Sequence, residues 1–532
     1  MSDHQQSDLN VVATGSSNDL YKSSPVRIPG PRKVEELAKR IGIDLSDDEV
    51  QEYSELIKGL MGCFVSVEKI PEPTLPVKYP RLPGYRPSAE ENPLNAWYWK
   101  TNIEGAPAGI LKGKSVAIKD NIAVYGVPMM GGSWIIEGYV PEFDATVVTR
   151  ILDAGGVIKG KSVCEDFCIS GESFFGAKGP VLNPHNKQYS AGGSSSGSAA
   201  LVSAGEVDMA IGGDQGGSIR LPSSICGIVG LKPTHGLVPY TGAQSIEPTV
   251  DHLGPMANTV YDCALLLEAI AGYDDGLDPR QNQTKISPVK YTKELETYNL
   301  SEFKIGVLKE AFEQKESDPK VNRLIKDASV LLRDAGAGVQ EVSVPMHKDG
   351  PNMWFCVGYQ GVADTLMRGN TVGSGFKGFY PTSLVDAVGR GIQAQPNDLP
   401  HTAKLCWMIG EYMKHEYHGR YYGKGQNLGR LLAAEFDKVF QDFDVLLMPT
   451  IPYPPSKLPQ KDTSITDLIT KSYGVINNTI VFNLTGHPAL SINAGFIDGL
   501  PIGMMLVGKM FDEITLLKVA NAYEKLRDSA PK

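Results

Sequence analysis

No run of about 18 consecutive apolar residues occurs in the 532-residue chain, which argues against a bilayer-spanning helix and hence against a membrane partner. Basic residues are in the minority: 51 Lys and Arg against 61 Asp and Glu leave a net charge of −10. No long Lys/Arg cluster is present, so a nucleic-acid partner is not expected. Cysteine is scarce, with seven residues (63, 164, 168, 226, 263, 356 and 406) scattered through apolar contexts. An odd, dispersed set reads as buried thiols in a reducing compartment. Cys164 and Cys168 could share a helix face, but no second Cys or His pair completes a metal site, and no metal or cofactor is expected. The opening residues carry acids early and lack the apolar core of a signal peptide, and the final Ala-Pro-Lys is no peroxisomal tripeptide. A cytoplasmic location is therefore expected.

What remains is ordinary globular chemistry, 42% hydrophobic and 21% charged, with 57 glycines and no internal repeat. Residues 1–30 are polar and expected to be disordered. A small helical unit over 31–70 follows. Its second helix opens at Ser46 with Glu49 at capping-box spacing, and carries an apolar stripe through Val50, Tyr53, Leu56, Ile57 and Leu60. That stripe must pack either on its own core or on a second copy of the chain. Eight prolines between 71 and 107 predict an extended segment crossing the surface of the main domain. From 108 to 532 short β-like runs alternate with helical ones: strands at 115–118, 157–159, 207–211, 303–308, 339–344, 445–448, 490–493 and 503–507, helices at 145–154, 198–204, 321–335 and 514–526. This rhythm predicts an α/β fold, one large α/β/α domain with a mixed central sheet plus the small helical N-terminal unit.

Three motifs compete for an active site. Gly155–Ser162 matches GxxxxGK[ST] letter by letter, but a phosphate loop needs a strand before it and a helix after it. Here the order is reversed, and Gly155 fits better as the left-handed residue that ends a helix. Gly193-Ser194-Ser195-Ser196-Gly197 matches GxSxG, which would make Ser195 a nucleophile with His487 as a late histidine. The residues before it read as a loop, whereas a nucleophile elbow needs a strand; a flexible linker is a third reading. The run Gly212-Gly213-Asp214-Gln215-Gly216-Gly217-Ser218 follows a strand directly. Small residues there let successive N–H groups converge on one point, as in an oxyanion hole, although a structural turn ending in a capping serine fits as well. Lys119 closes the apolar run SVAI, either as a buried base or as a surface lysine partnered by Asp120.

Taken together, VAIKDN (116–121), GGSSSGSAA (192–200), GGDQGGSIRLPSSICGIVGLKPTHGLVPYTG (212–242), DHLGPMA (251–257) and FNLTGHPALSI (482–492) resemble the amidase signature family. The match extends from about residue 75 onward and is similar in detail to microbial amidases that accompany nitrile hydratases. Ser194 lies 75 residues after Lys119, and Ser218 24 residues after that, which is the family's spacing. The resemblance implies hydrolysis of a carboxamide through an acyl-enzyme on Ser218. Ser194, in a cis peptide, would pass the proton to an uncharged Lys119. The N–H groups of Gln215, Gly216, Gly217 and Ser218 would form the oxyanion hole, with Cys168 lining the substrate site or lying in the core. Ser196, Asp214 and Arg220 would brace the loops. The aromatic residues of 346–443 (Trp354, Phe355, Tyr359, Phe376, Phe379, Tyr380 and Trp407) would supply pocket wall or core. A small-molecule amide substrate and a homodimer follow by analogy. Relatives serving as the glutaminase component of a tRNA-dependent amidotransferase, a carboxylesterase with the same triad, and a noncatalytic binding protein are the rival functions.

Overall fold

The computed structural model describes residues 26–529, so most of the segment expected to be disordered lies outside the described residues. The chain divides into two units, one up to Thr74 and one from Leu75. In the first, Pro31–Arg40 and Asp47–Leu60 are helices, followed by the short helix Gly62–Val67. Ser46 caps the second by accepting from the Glu49 N–H, while the Glu49 carboxylate accepts from the Ser46 N–H, as the capping box requires.

The second unit is built on one sheet of eleven strands among the described residues. They are β1 (Trp97–Glu104), β2 (Ser115–Lys119), β3 (Val157–Ser162), β4 (Met209–Asp214), β5 (Val229–Lys232), β6 (His252–Ala257), β7 (Lys304–Leu308), β8 (Gly338–Val342), β9 (Val445–Pro449), β10 (Ala489–Ile497) and β11 (Leu500–Gly508). Their spatial order is β1-β3-β2-β4-β6-β5-β10-β11-β9-β7-β8. The sheet is mixed. β3, β2 and β4 run parallel, as do β9, β7 and β8, and an antiparallel block separates the two groups. The β10–β11 hairpin turns on Asp498-Gly499, both at positive φ, the conformation that a two-residue Asp-Gly turn favours.

Alternation along the strands explains why both faces are covered. Val116 and Ile118 of β2 enter one apolar cluster, with Met209 and Ile211 of β4 and the helix Val260–Ile270. Ala117 and Ala210 point the other way, into a cluster with Ala199–Val202 of the helix Ser196–Ser203. That second helix is built of small residues because it lies close: a Cβ on Gly197 would sit 2.4 Å from the Ala96 carbonyl oxygen.

One expectation needs correction. The proline-rich segment does not stay on the surface up to 107, because its last part is the strand β1. The aromatic and β-branched run WYWKTNIE pairs antiparallel with β3 from Trp97 to Glu104, and Trp97 and Tyr98 are buried. The reading of Gly155 as a helix-ending residue, against a phosphate loop, holds. Gly155 follows the helix Thr146–Asp153 at φ +84°, and Gly160-Lys161-Ser162 lie inside β3.

Candidate active site

β2 and β4 are adjacent and parallel, so their C-terminal ends open on the same edge of the sheet. That edge gathers the residues singled out in the sequence. Lys119, the last residue of β2, is fully buried. Its Nζ donates to Ser194 Oγ (2.9 Å) and to the Gly213 carbonyl (3.0 Å). Both partners are neutral oxygens. The carboxylate expected as the alternative partner, Asp120, is taken by a different lysine: Lys161 Nζ lies 3.1 Å from Asp120 Oδ1.

Ser194 sits in a loop whose Gly193–Ser194 peptide is cis. Its carbonyl accepts from the Glu165 N–H (3.1 Å), and the neighbouring Gly193 N–H donates to the Gly171 carbonyl (2.8 Å). Glu165 joins the brace from below, accepting from Ser196 Oγ (3.0 Å) and the Phe175 N–H (2.7 Å). Burial pushes its carboxyl up to about 8, with those two hydrogen bonds working in the opposite direction. Ser195, the elbow candidate, is occupied structurally. Its hydroxyl donates to the Gly213 carbonyl (3.1 Å), and its N–H donates to the Ser218 carbonyl (3.2 Å), tying the two serine loops together. His487 bonds Thr485 Oγ1 (3.0 Å) and Asp437 Oδ1 (3.2 Å) and packs on Phe436 and Phe440. Neither residue has the surroundings of a nucleophile elbow.

The loop after β4 is pinned peptide by peptide. Asp214 Oδ1 accepts from the Gly217 N–H (2.7 Å) and Oδ2 from the Ile219 N–H (3.1 Å), while Arg220 grips both oxygens at 3.0 Å. Burial works to raise the Asp214 carboxyl, but Arg220 and Asn483 outweigh it and hold the group down at about 2. The Gln215 carbonyl accepts from the Trp354 indole N–H (2.9 Å), and the Gly216 carbonyl from Thr479 Oγ1 (2.7 Å). Gly217 has φ +135°, and a Cβ there would fall 2.2 Å from Thr479 Oγ1, so glycine is required. This geometry refines the expected oxyanion set. The Gly217 amide is turned onto Asp214, which sets it apart from the amides of Gln215, Gly216 and Ser218.

Ser218, Gln215, Gly216 and Cys168 border a common cavity. Cys168, with φ +62°, is almost wholly buried at its wall. Burial opposes ionisation of its thiol, and hydrogen bonding with Cys164 works the other way. The remaining wall is apolar, with Ile169, Ile246, Phe355, Val362 and Ile476 among its residues, and among the described residues it includes no charged side chain. Trp354, Phe355 and Tyr359 line this cavity as the sequence suggested. Phe376 and Phe379 border a different one, Tyr380 stacks on Phe376, and Trp407 packs into the neighbouring core. Trp354, Thr479, Asn483 and Glu165 were not foreseen as holding the site's loops. Only Asn483 lay inside a motif that could have flagged it.

Residues 86–517 match the amidase family model. The chain belongs to the amidase signature family. It is 42% identical over 495 residues to the enantioselective amidase of Rhodococcus rhodochrous, a match covering 92% of this chain and 95% of that protein. It is also 38% identical over 427 residues to a glutamyl-tRNA(Gln) amidotransferase component from Methanosarcina mazei, covering 79% of this chain and 86% of that protein. Among solved structures, the glutamyl-tRNA(Gln) amidotransferase component of Thermotoga maritima superposes with a TM-score of 0.68 at 31% identity, covering 82% of this chain and 88% of that one. Peptide amidase from Stenotrophomonas maltophilia does so with a TM-score of 0.65 at 29% identity, covering 80% and 84%. The chain is thus an amidase built on the family's mixed α/β fold.

Proposed function

We propose that this amidase hydrolyses carboxamides with an apolar acyl group to the carboxylic acid and ammonia, through an acyl-enzyme on Ser218. The observation that carries this reading is the fully buried Lys119 amine, 2.9 Å from Ser194 Oγ and 3.0 Å from the Gly213 carbonyl oxygen. A serine hydroxyl needs a base beside it, and Lys119 Nζ is placed to act as one through Ser194. Ser218 Oγ attacks the amide carbon as its proton passes to Ser194 and that of Ser194 passes to Lys119 Nζ. The amides of Gln215, Gly216 and Ser218 receive the developing oxyanion. Lys119 returns the proton through Ser194 to the amide nitrogen, and the C–N bond breaks to release ammonia. Water then attacks the Ser218 ester by the same relay, releasing the acid.

The charge-free cavity favours this reading over the glutaminase one. Glutamine carries an ammonium and a carboxylate, and burying either without a partner costs several kcal/mol. The likeness to the Rhodococcus rhodochrous enzyme supports a free-standing amidase as well. Ester cleavage by the same acyl-enzyme is measured alongside amide cleavage to rank the two. We place the enzyme in the cytoplasm, because all seven cysteines are free thiols. We also infer a homodimer through the amphipathic helices of the N-terminal unit, which sedimentation of the full chain checks.

The deciding experiment is intact-mass analysis after exposure to a serine-directed phosphonate, run with a panel of primary amides. Ser218 should carry the adduct. Lys119→Ala, Ser194→Ala and Ser218→Ala should each lose more than about a thousandfold in kcat while remaining folded. Full activity of Ser218→Ala removes the assignment.

A further inference from the structure

Trp354 belongs to two structures at once. Its ring forms part of the cavity wall, while its indole N–H donates to the Gln215 carbonyl at 2.9 Å. A peptide unit is planar and trans, so its C=O and N–H point in opposite directions. Fixing the Gln215 oxygen therefore aims the Gly216 N–H, one of the three amides proposed to receive the oxyanion. The next peptide is fixed in the same way by Thr479 on the Gly216 carbonyl, at 2.7 Å, and it points the Gly217 N–H at Asp214. The two clamps differ in one respect. Thr479 is itself tied to the Ile476 carbonyl (2.9 Å) and lies in the protein interior. The Trp354 ring is confined by Gly358, where a Cβ would lie 2.4 Å from its Cζ3, and by edge contact with Phe355 at 5.7 Å. All three residues border the cavity, so what fills it meets the ring directly.

We propose that Trp354 is a positioning residue through which the acyl group steadies the oxyanion donors. Filling the cavity completes the packing around the indole and holds the Gly216 N–H on the developing oxygen anion. An acyl group too small to reach the ring leaves that donor less well held. Remote binding is then converted into turnover, so small acyl groups lose kcat as well as affinity. This rests on the acyl-enzyme reading above and adds to it a source of acyl-size selectivity that acts on the chemical step.

The test compares kcat and KM of the full-length enzyme for acetamide and for a bulky arylalkyl primary amide, using wild type, Trp354→Phe and Gly358→Ala. Trp354→Phe keeps an aromatic wall and removes the indole donor, whereas Gly358→Ala keeps the donor and displaces the ring. Losing one oxyanion donor outright costs about 10²–10³ in kcat, so misaiming one should cost roughly tenfold. The expected result is a fall of about that size in kcat for the bulky amide, little change in its KM, and a smaller fall for acetamide, so that the kcat preference narrows in both variants. Thermal melts confirm folding, and if Trp354→Phe is unfolded, Gly358→Ala decides alone. An unchanged kcat ratio, or a rise in KM with kcat intact, overturns the coupling and leaves Trp354 as wall only. Absence of amide turnover in the wild type instead overturns the acyl-enzyme reading itself.

Discussion

Asp214 and Asp120 are both sealed from solvent beside the same edge of the sheet, and each faces a buried cation, yet they hold charge in opposite ways. Asp214 receives five donors: the amides of Gly217 and Ile219, two nitrogens of Arg220, and Asn483 Nδ2. Its carboxyl is held down at about 2 despite burial. Asp120 meets Lys161 at 3.1 Å and the Met130 N–H at 3.0 Å, and burial prevails, raising the carboxyl and lowering the lysine. A buried charge is kept by the number and geometry of its hydrogen bonds, and an opposite charge alone does not suffice. The fully bonded pair underlies the proposed oxyanion loop; the sparsely bonded one lies beside β2.

Breaking the first pair should therefore cost most. Arg220→Met strands a charged carboxylate and should destabilise the fold by about 3–5 kcal/mol in urea titration, with kcat collapsing as the loop relaxes. Lys161→Met should cost less, about 1–3 kcal/mol, because Asp120 already favours its proton. The same reasoning fixes the sign with pH. A carboxyl raised in the folded state makes stability fall as pH climbs above its unfolded value, so the deficit of Lys161→Met should widen from pH 5 to pH 8 in thermal melts. A deficit that stays flat over that range would show Asp120 to keep the same ionisation with and without Lys161. Glu165 offers the sharpest case in pH. Its carboxyl is raised from 4.5 to about 8, so the wild type should lose stability between those values. Glu165→Gln should remove that slope in thermal melts between pH 5 and pH 8.

The sheet edge was largely legible in the sequence, and its surroundings were not. β2 and β4 are apolar runs ending at Lys119 and Asp214, and Ser194 and Ser218 sit in glycine-rich segments that announce tight loops. Asp214 and Arg220 were expected as braces through the family likeness. β6 escaped notice because Pro255 argues against a central strand. It is tolerated because β5 pairs with β6 only at Ala257 and Met256, leaving Pro255 outside that pairing. β5 is only four residues long, and β1 lay hidden in a proline-rich stretch. Trp354 and Thr479 reach the oxyanion loop from 139 and 263 residues away, and nothing in their local sequence carries that contact. The cis peptide at Ser194 and the trio's roles came from the family likeness and were not derivable from spacing.

Much of the cavity wall has a different origin in the chain from the three groups proposed to break the bond. Lys119, Ser194 and Ser218 come from β2, β4 and the loops around them, whereas much of the wall comes from helix Gly350–Gly361 and the segment beyond it. The indole hydrogen bond of Trp354 links that helix to the loop that ends in Ser218. Grafting a relative's wall segment should accordingly transplant its acyl preference, provided that a tryptophan stays where Trp354 is.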